Sequence, residues 1–146
     1  MRGQNMTAEQ YLQQIQILDV QIQQDIEQLD ELKNRAKGVT AIRYDKDKVQ
    51  TSPSDRLCSD VCSIVTLDDR ITAEIDKLCD AKQLIIRQIR GLKDAVYIQI
   101  LYKVYVQYKT LKTAGLEIGI SYTTVLQKHR DALTVFASMY DLIDVI

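Results

Sequence analysis

The sequence predicts an all-α protein with a long antiparallel helical hairpin (a coiled coil) followed by a C-terminal helix-turn-helix bundle. Apolar residues recur every three or four positions over two long stretches, which is the periodicity of a helix with one buried face. One proline in 146 residues leaves little to interrupt them. The hairpin is predicted over residues 7–90 with a loop over 38–53, and the helix-turn-helix domain over 91–146.

The first arm of the hairpin is predicted by one apolar stripe. Its members are separated by three or four residues: Leu12, Ile15, Leu18, Ile22, Ile26, Leu29, Leu32 and Ala36. Thr7 followed by Gln10 is a capping-box start, in which each side chain satisfies a backbone N–H of the first turn. Gly38 is the predicted end of this helix.

The second arm is predicted to begin at Pro53, after the N-cap Ser52. Its stripe comprises Leu57, Val61, Ile64, Ile71, Ile75, Leu78, Ile85 and Ile89. Asp68 and Lys82 interrupt the stripe, and polar residues on such a seam can fix the register of two helices. Because neither arm can bury its stripe alone, the arms are expected to pack together or against a second copy.

Residues 95–108 fit both a strand alternation and a helix face. Their β-branched and aromatic content favours a strand locally. A helix is nevertheless predicted, because Asp94 can cap it and no partner strand is apparent. The segment contains four tyrosines that suit either base stacking or a helix core, with the core favoured: Tyr97, Tyr102, Tyr105 and Tyr108.

The next stretch has the spacing of a helix-turn-helix. Thr110 can cap a short helix over 111–118, and Gly119 follows where a left-handed C-cap favours glycine. Ser121 can cap the next helix. Gly115 stands where two helices of such a motif cross closely, so a small residue is expected there.

The second motif helix, over residues 121–136, is predicted to enter the major groove of DNA. The predicted DNA-binding residues are Lys109, Lys112, Ser121, Tyr122, Thr123, Thr124, Gln127, Lys128 and Arg130. The three lysines are expected to hold phosphates. Residues 90–130 carry seven basic and two acidic side chains, a net +5, against −3 for residues 1–89. The alternative is a three-helix bundle without DNA contact.

A resemblance to a known family adds to this prediction. Its residues here are Tyr105, Lys109, Thr110, Gly119, Ser121, Val125, His129, Ala132 and Leu133. From about Thr7 to Leu133 the chain resembles small phage and prophage proteins of Gram-positive hosts, grouped with ArpU- and RinA-like regulators of late genes. Their C-terminal part is similar to region four of bacterial sigma factors. The resemblance implies transcription regulation.

Enzymatic and metal chemistry are not indicated. Cys58, Cys62 and Cys79 with the lone His129 form only half of a usual zinc motif, so no metal or other cofactor is expected. No nucleophile and orienting acid can be assigned to His129, so no catalytic residue is proposed. Its side chain suits a phosphate contact or polar anchor, or a bond to a backbone carbonyl in a partly buried position, the latter favoured.

The sequence therefore favours a phage-type transcription regulator that binds double-stranded DNA. Its hairpin is expected to mediate self-association as a homodimer or docking to RNA polymerase. The alternative is a non-enzymatic protein-interaction or structural coiled-coil protein with a degenerate helix-turn-helix. With no stretch of about 18 apolar residues for a membrane span and no signal-peptide core, a location in the bacterial cytoplasm is expected.

Overall fold

The computed structural model describes the backbone of residues 6–41 and 53–144, and the side chains of 6–37 and 57–144. Every regular element in these ranges is helical, which confirms the predicted all-α class. The elements are α1 (Ala8–Ala41), α2 (Pro53–Arg90), α3 (Ala95–Leu101), a π-helical turn (Tyr102–Val106), α4 (Leu111–Ile118) and α5 (Tyr122–Met139). The choice of helix over strand for residues 95–108 is therefore confirmed for α3 and the π-helical turn.

The helix ends follow local chemistry in most places. At the start of α1, Thr7 Oγ1 accepts the Gln10 N–H at 3.2 Å and Gln10 Oε1 accepts the Thr7 N–H at 3.1 Å, which confirms the capping box. The predicted end at Gly38 is wrong, because α1 continues to Ala41. One glycine weakens a helix by about 1 kcal/mol without forbidding helical backbone. Residues 42–52 of the predicted loop lie outside the described residues.

The chain divides into two compact units. Unit 1 combines the segment up to Asp19 with the segment from Lys77 onward, and unit 2 is Val20–Asp76. Both long helices contribute to both units. The predicted domain boundary lies after α2, whereas the compact units divide the chain within α1 and within α2.

In unit 2, α1 and α2 run antiparallel. Arg70 donates to Asp25 at 2.9 Å, whereas Arg35, further along α1, donates to Asp60, earlier in α2, at 3.2 Å. The apolar centre of the unit consists of Leu29, Leu67 and Ile71, with Ile26, Leu32 and Ile64 packed against it. The long stripes therefore pack against each other here, as the periodicity predicted.

The buried face of α2 lies slightly to one side of the predicted stripe. Its buried apolar residues are Leu67, Ile71, Leu78, Ala81, Ile85 and Ile89. Val61 and Ile75 are 48% and 40% exposed. Asp68 was expected to interrupt the stripe on the buried face, but Leu67 is buried there and Asp68 is exposed. Ile64 and Ile71 are seven residues apart, and position 67 lies between them on the inner face of the helix.

The core of unit 1 joins the ends of the hairpin to the C-terminal helices. Its largest fully buried side chains are Tyr11, Phe136, Leu12, Ile15, Ile85, Ile89, Leu92, Ile100, Leu101 and Val125. The Tyr11 and Phe136 rings lie 5.8 Å apart, and the Tyr11 hydroxyl donates to Gln88 Oε1 at 2.7 Å. Because α5 supplies Phe136, the core holds α5 against α1, and the Tyr11 hydroxyl in turn bonds α1 to α2.

A second set of contacts fixes the chain just before α4. Tyr108 has a φ of 58°, the left-handed region that side chains rarely adopt. Its hydroxyl donates to Asp19 Oδ2 at 2.8 Å. Lys82 Nζ lies 3.8 Å from the same carboxylate and 5.4 Å from the centre of the Tyr108 ring. These contacts hold the unusual backbone at the point where the chain turns into α4.

Candidate nucleic-acid interface

Helices α4 and α5 are joined by a tight turn whose geometry follows from three residues. Thr110 Oγ1 accepts the Thr113 N–H at 3.2 Å, and α4 begins at the next residue. Gly119 ends α4 with φ 86° and ψ 32°, the left-handed conformation. Ser121 Oγ accepts the Thr124 N–H at 3.2 Å and starts α5. Helix α4 has the predicted bounds, 111–118, and α5 begins after the predicted cap Ser121 but continues to Met139, three residues beyond the predicted end at 136.

The two motif helices approach each other closely at Gly115. A Cβ atom built on Gly115 would lie 3.2 Å from Val125 Cγ1 and 3.4 Å from the Ile120 carbonyl oxygen. The Gly115 carbonyl also accepts the N–H groups of Gly119 and Ile120 at 2.9 and 3.0 Å. The small residue therefore allows close packing, and its carbonyl closes the turn.

Helix α5 has a buried face and an exposed face. Val125, Ala132 and Phe136 lie on its buried face and have no exposed surface. Four exposed residues separated by four, three and four positions lie on the opposite side, because an α-helix repeats every 3.6 residues. This outward row consists of Thr123, Gln127, Arg130 and Thr134. Thr134 is not among the predicted DNA-binding residues, although one more step of the same spacing reaches it.

Other predicted DNA-binding side chains gather at the start of α5. Tyr122 is its first residue and is 57% exposed. Ser121 and Thr124 are also exposed, and their hydroxyl oxygens lie 2.7 Å apart as part of the N-cap. Lys112 is exposed in the first turn of α4. Hydroxyl and aromatic groups are therefore presented to solvent at the start of α5, and an ammonium group at the start of α4.

Lys109, a predicted phosphate contact, is paired within the chain. Its Nζ donates to Glu117 Oε1 at 2.7 Å and to Oε2 at 2.9 Å, while Lys103 Nζ donates to Oε2 at 3.0 Å. Hydrogen bonds from Lys109 and then Lys103 lower the pKa of Glu117. We call Lys103, Glu117 and Lys109 the lysine clasp. It neutralises part of the basic segment, and Glu117 is not among the residues that the sequence predicted for this surface.

The other predicted cations differ in how available they are. Lys128 is half-buried, and its Nζ lies 5.9 Å from the centre of the Tyr97 ring. Lys112 and Arg130 are exposed, and neither forms an ion pair within the part of the chain that the structure describes. These two side chains are therefore the cations of α4 and α5 best able to meet a phosphate or a base without first leaving a partner.

His129 lies beside the buried Tyr105. Its Nε2 is 2.7 Å from the Tyr105 hydroxyl, and the two rings stack with their centres 5.8 Å apart. Burial lowers the pKa of His129 and raises that of Tyr105. The histidine is thus a polar anchor bonded to a side chain, and the bond to a backbone carbonyl that the sequence favoured is not the one seen. Tyr105 belongs to the core.

The described residues contain no cluster of three or more His, Cys, Asp or Glu side chains that would hold a metal ion. Cys58, Cys62 and Cys79 are exposed free thiols along α2. Within the same ranges, no helix has the length and apolar character needed to cross a membrane.

In comparisons with known proteins, no family model, no curated protein and no solved structure matches this chain.

Proposed function

We propose that this protein binds double-stranded DNA through α5 and regulates transcription, as a regulator of the phage type. The observation that carries the proposal is the outward row of α5, from Thr123 to Thr134, which stands opposite a fully buried face. A helix held in this way, after a tight glycine turn, is the part of a helix-turn-helix that enters the major groove.

The chemistry of the row suits base recognition. Gln127 and Arg130 carry amide and guanidinium groups, which bond adenine and guanine edges respectively, and Thr123 can donate or accept. Lys112 and the hydroxyl groups at the start of α5 suit phosphate contacts, which set the position of a protein on DNA. Lys109 and Lys128 reach a phosphate only after leaving Glu117 and the Tyr97 ring.

The regulatory part of the proposal rests on the resemblance of the sequence to proteins with a C-terminal part like region four of sigma factors. In this proposal α5 binds DNA, and the hairpin mediates self-association or docking to the RNA polymerase of the bacterial host. Both tasks would be performed in the cytoplasm.

Fluorescence anisotropy with a labelled random-sequence duplex tests DNA binding. Binding is measured for the intact protein and for Lys112→Ala/Arg130→Ala between about 50 and 200 mM salt, because each phosphate contact contributes about 0.9 to the slope of log affinity against log salt. We expect the double variant to bind more weakly, with a slope smaller by about 0.9 for each of the two cations that contacts a phosphate.

The matched control is Lys33→Ala/Lys37→Ala, which removes two exposed cations from α1. We expect this control to bind like the intact protein. Equal losses in both double variants would show that net charge, rather than the face formed by α4 and α5, governs binding. Absence of binding by the intact protein at the lowest salt would contradict the proposal.

A second candidate function is protein binding by unit 2. It is favoured by three exposed apolar residues on α2: Val61, Val65 and Ile75, exposed by 48%, 54% and 40%. Sedimentation velocity over a concentration series tests self-association, with Val61→Asn/Val65→Asn as the variant. A mass that rises with concentration in the intact protein and not in the variant supports it, and a constant monomer mass in both argues against self-association.

A further inference from the structure

We infer that Gln127 reads an adenine in the major groove and that Asp131 is the residue that orients it for this purpose. The inference rests on the proposed DNA binding and deepens it, because it names the base that one side chain recognises. The structure brings the two side chains together on the exposed side of α5, one helical turn apart.

The contact between them fixes the direction of the amide group. Gln127 Nε2 lies 3.1 Å from Asp131 Oδ1. An ionised carboxylate only accepts hydrogen bonds, so the amide nitrogen and not the amide oxygen must face it. One N–H of Gln127 is therefore used by Asp131, and the other N–H and the oxygen Oε1 are left for a ligand.

One donor and one acceptor match the edge of adenine. In the major groove adenine presents N7 as an acceptor and its N6 amino group as a donor, whereas guanine presents two acceptors, N7 and O6. An amide with both N–H groups available can turn to donate to guanine. Gln127 held by Asp131 has only one N–H to give, so the pairing with adenine is favoured.

Asp131 is expected to weaken binding to DNA, and its presence on this face therefore supports a role in orienting Gln127. Its carboxylate is half-exposed and lies beside Arg130 on a helix proposed to face phosphates, where a negative charge weakens attraction to DNA. Gln127 lies inside the outward row, between Thr123 and Arg130, and is exposed. Asp131 thus lowers overall affinity while it restricts which base Gln127 can bond.

The test begins with duplexes selected from a randomised library by the intact protein. Each base pair of the selected duplex is then replaced in turn, and affinities are measured by anisotropy for the intact protein and for Gln127→Ala. The position at which Gln127→Ala abolishes discrimination identifies the base pair that Gln127 contacts. We expect an A·T pair there, with discrimination against G·C on the order of tenfold in the intact protein.

Two substitutions at Asp131 separate orientation from charge. Asp131→Ala is expected to bind the A·T and the G·C duplex more tightly, because a negative charge is removed. The difference in affinity between the two duplexes should fall to within about twofold, because the Gln127 amide is free to turn. Asp131→Asn can still accept from Gln127 through its own oxygen, so discrimination should be largely retained. The matched control Asp69→Ala removes an exposed carboxylate from α2 and should leave discrimination unchanged.

Three results would overturn the inference: a G·C pair at the position assigned to Gln127, full discrimination in Asp131→Ala, or equal loss of discrimination in Asp131→Asn and Asp131→Ala. Circular dichroism of each variant checks that α5 is still folded. If the intact protein binds no duplex at all, the proposed function fails and the inference falls with it. DNA binding without the adenine preference refutes the inference alone.

Discussion

Replacing Glu117 with glutamine is expected to strengthen DNA binding at low salt. In the lysine clasp, Glu117 accepts three hydrogen bonds of 2.7 to 3.0 Å from Lys103 and Lys109. Glutamine has nearly the same shape but no charge, so it cannot neutralise the two ammonium groups. Both lysines then become available to phosphates next to the start of α4. Because Glu117 is exposed, we expect the fold to be retained.

The size of the effect follows from the number of charges released. Each new phosphate contact adds about 0.9 to the slope of log affinity against log salt, so two lysines add up to about 1.8. Between 50 and 200 mM salt, a fourfold range, the affinity of the variant should therefore fall by a factor about twelve times larger than the affinity of the intact protein does. Anisotropy with one random-sequence duplex at five salt concentrations measures both slopes.

The control is Glu27→Gln, which removes an exposed charge from α1 in unit 2. We expect its slope to equal that of the intact protein. If the slope of Glu117→Gln is unchanged, or if the control changes it by the same amount, then the clasp does not withhold its lysines from DNA and the reasoning is wrong.

Three further predictions concern stability. Gly119→Ala should lower the free energy of unfolding by about 1–2 kcal/mol in thermal melts, because Gly119 has a φ of 86°. Gly119→Asn should lose less stability, because asparagine tolerates this backbone conformation better. Equal losses in the two variants would contradict backbone strain as the cause. Burial lowers the pKa of His129, so the unfolded state takes up its proton more readily. The melting temperature should therefore fall as pH drops below about 6.5, the ordinary histidine value, and less so in His129→Gln; parallel profiles would refute this. In unit 2, Asp60 Oδ2 is buried and has no hydrogen-bond partner among the described residues. In urea unfolding, Asp60→Leu should leave the free energy of unfolding unchanged or raise it. Arg35→Ala should lower it by about 1 kcal/mol, because solvent screens the exposed Arg35. A large loss of stability in Asp60→Leu would contradict this reasoning.

Local chemistry made most of the helix-turn-helix predictable. Thr110 and Ser121 accept backbone N–H groups of the turns that they begin, and Gly119 adopts a conformation that other residues avoid. Each of these effects acts within a few residues of sequence, so the pattern alone locates both helices. The same holds for the capping box at Thr7.

Features that depend on the path of the chain could not be predicted in this way. Lys109 pairs with Glu117 because the turn before α4 returns its side chain toward the far end of that helix. Lys128 rests against Tyr97, which is 31 residues earlier. On α2, the facing helix decides that Leu67 is buried and Val61 is exposed, since both positions satisfy a spacing of three or four residues.

The orientation of the outward row of α5 toward DNA can be measured by an NMR titration. Backbone amide shifts are followed while an unlabelled duplex is added at low salt. This orientation predicts that the largest changes fall on residues 110–134, including Gln127 and Arg130, with little change over Val20–Asp76. Changes confined to Val20–Asp76, or no change at all, would contradict it.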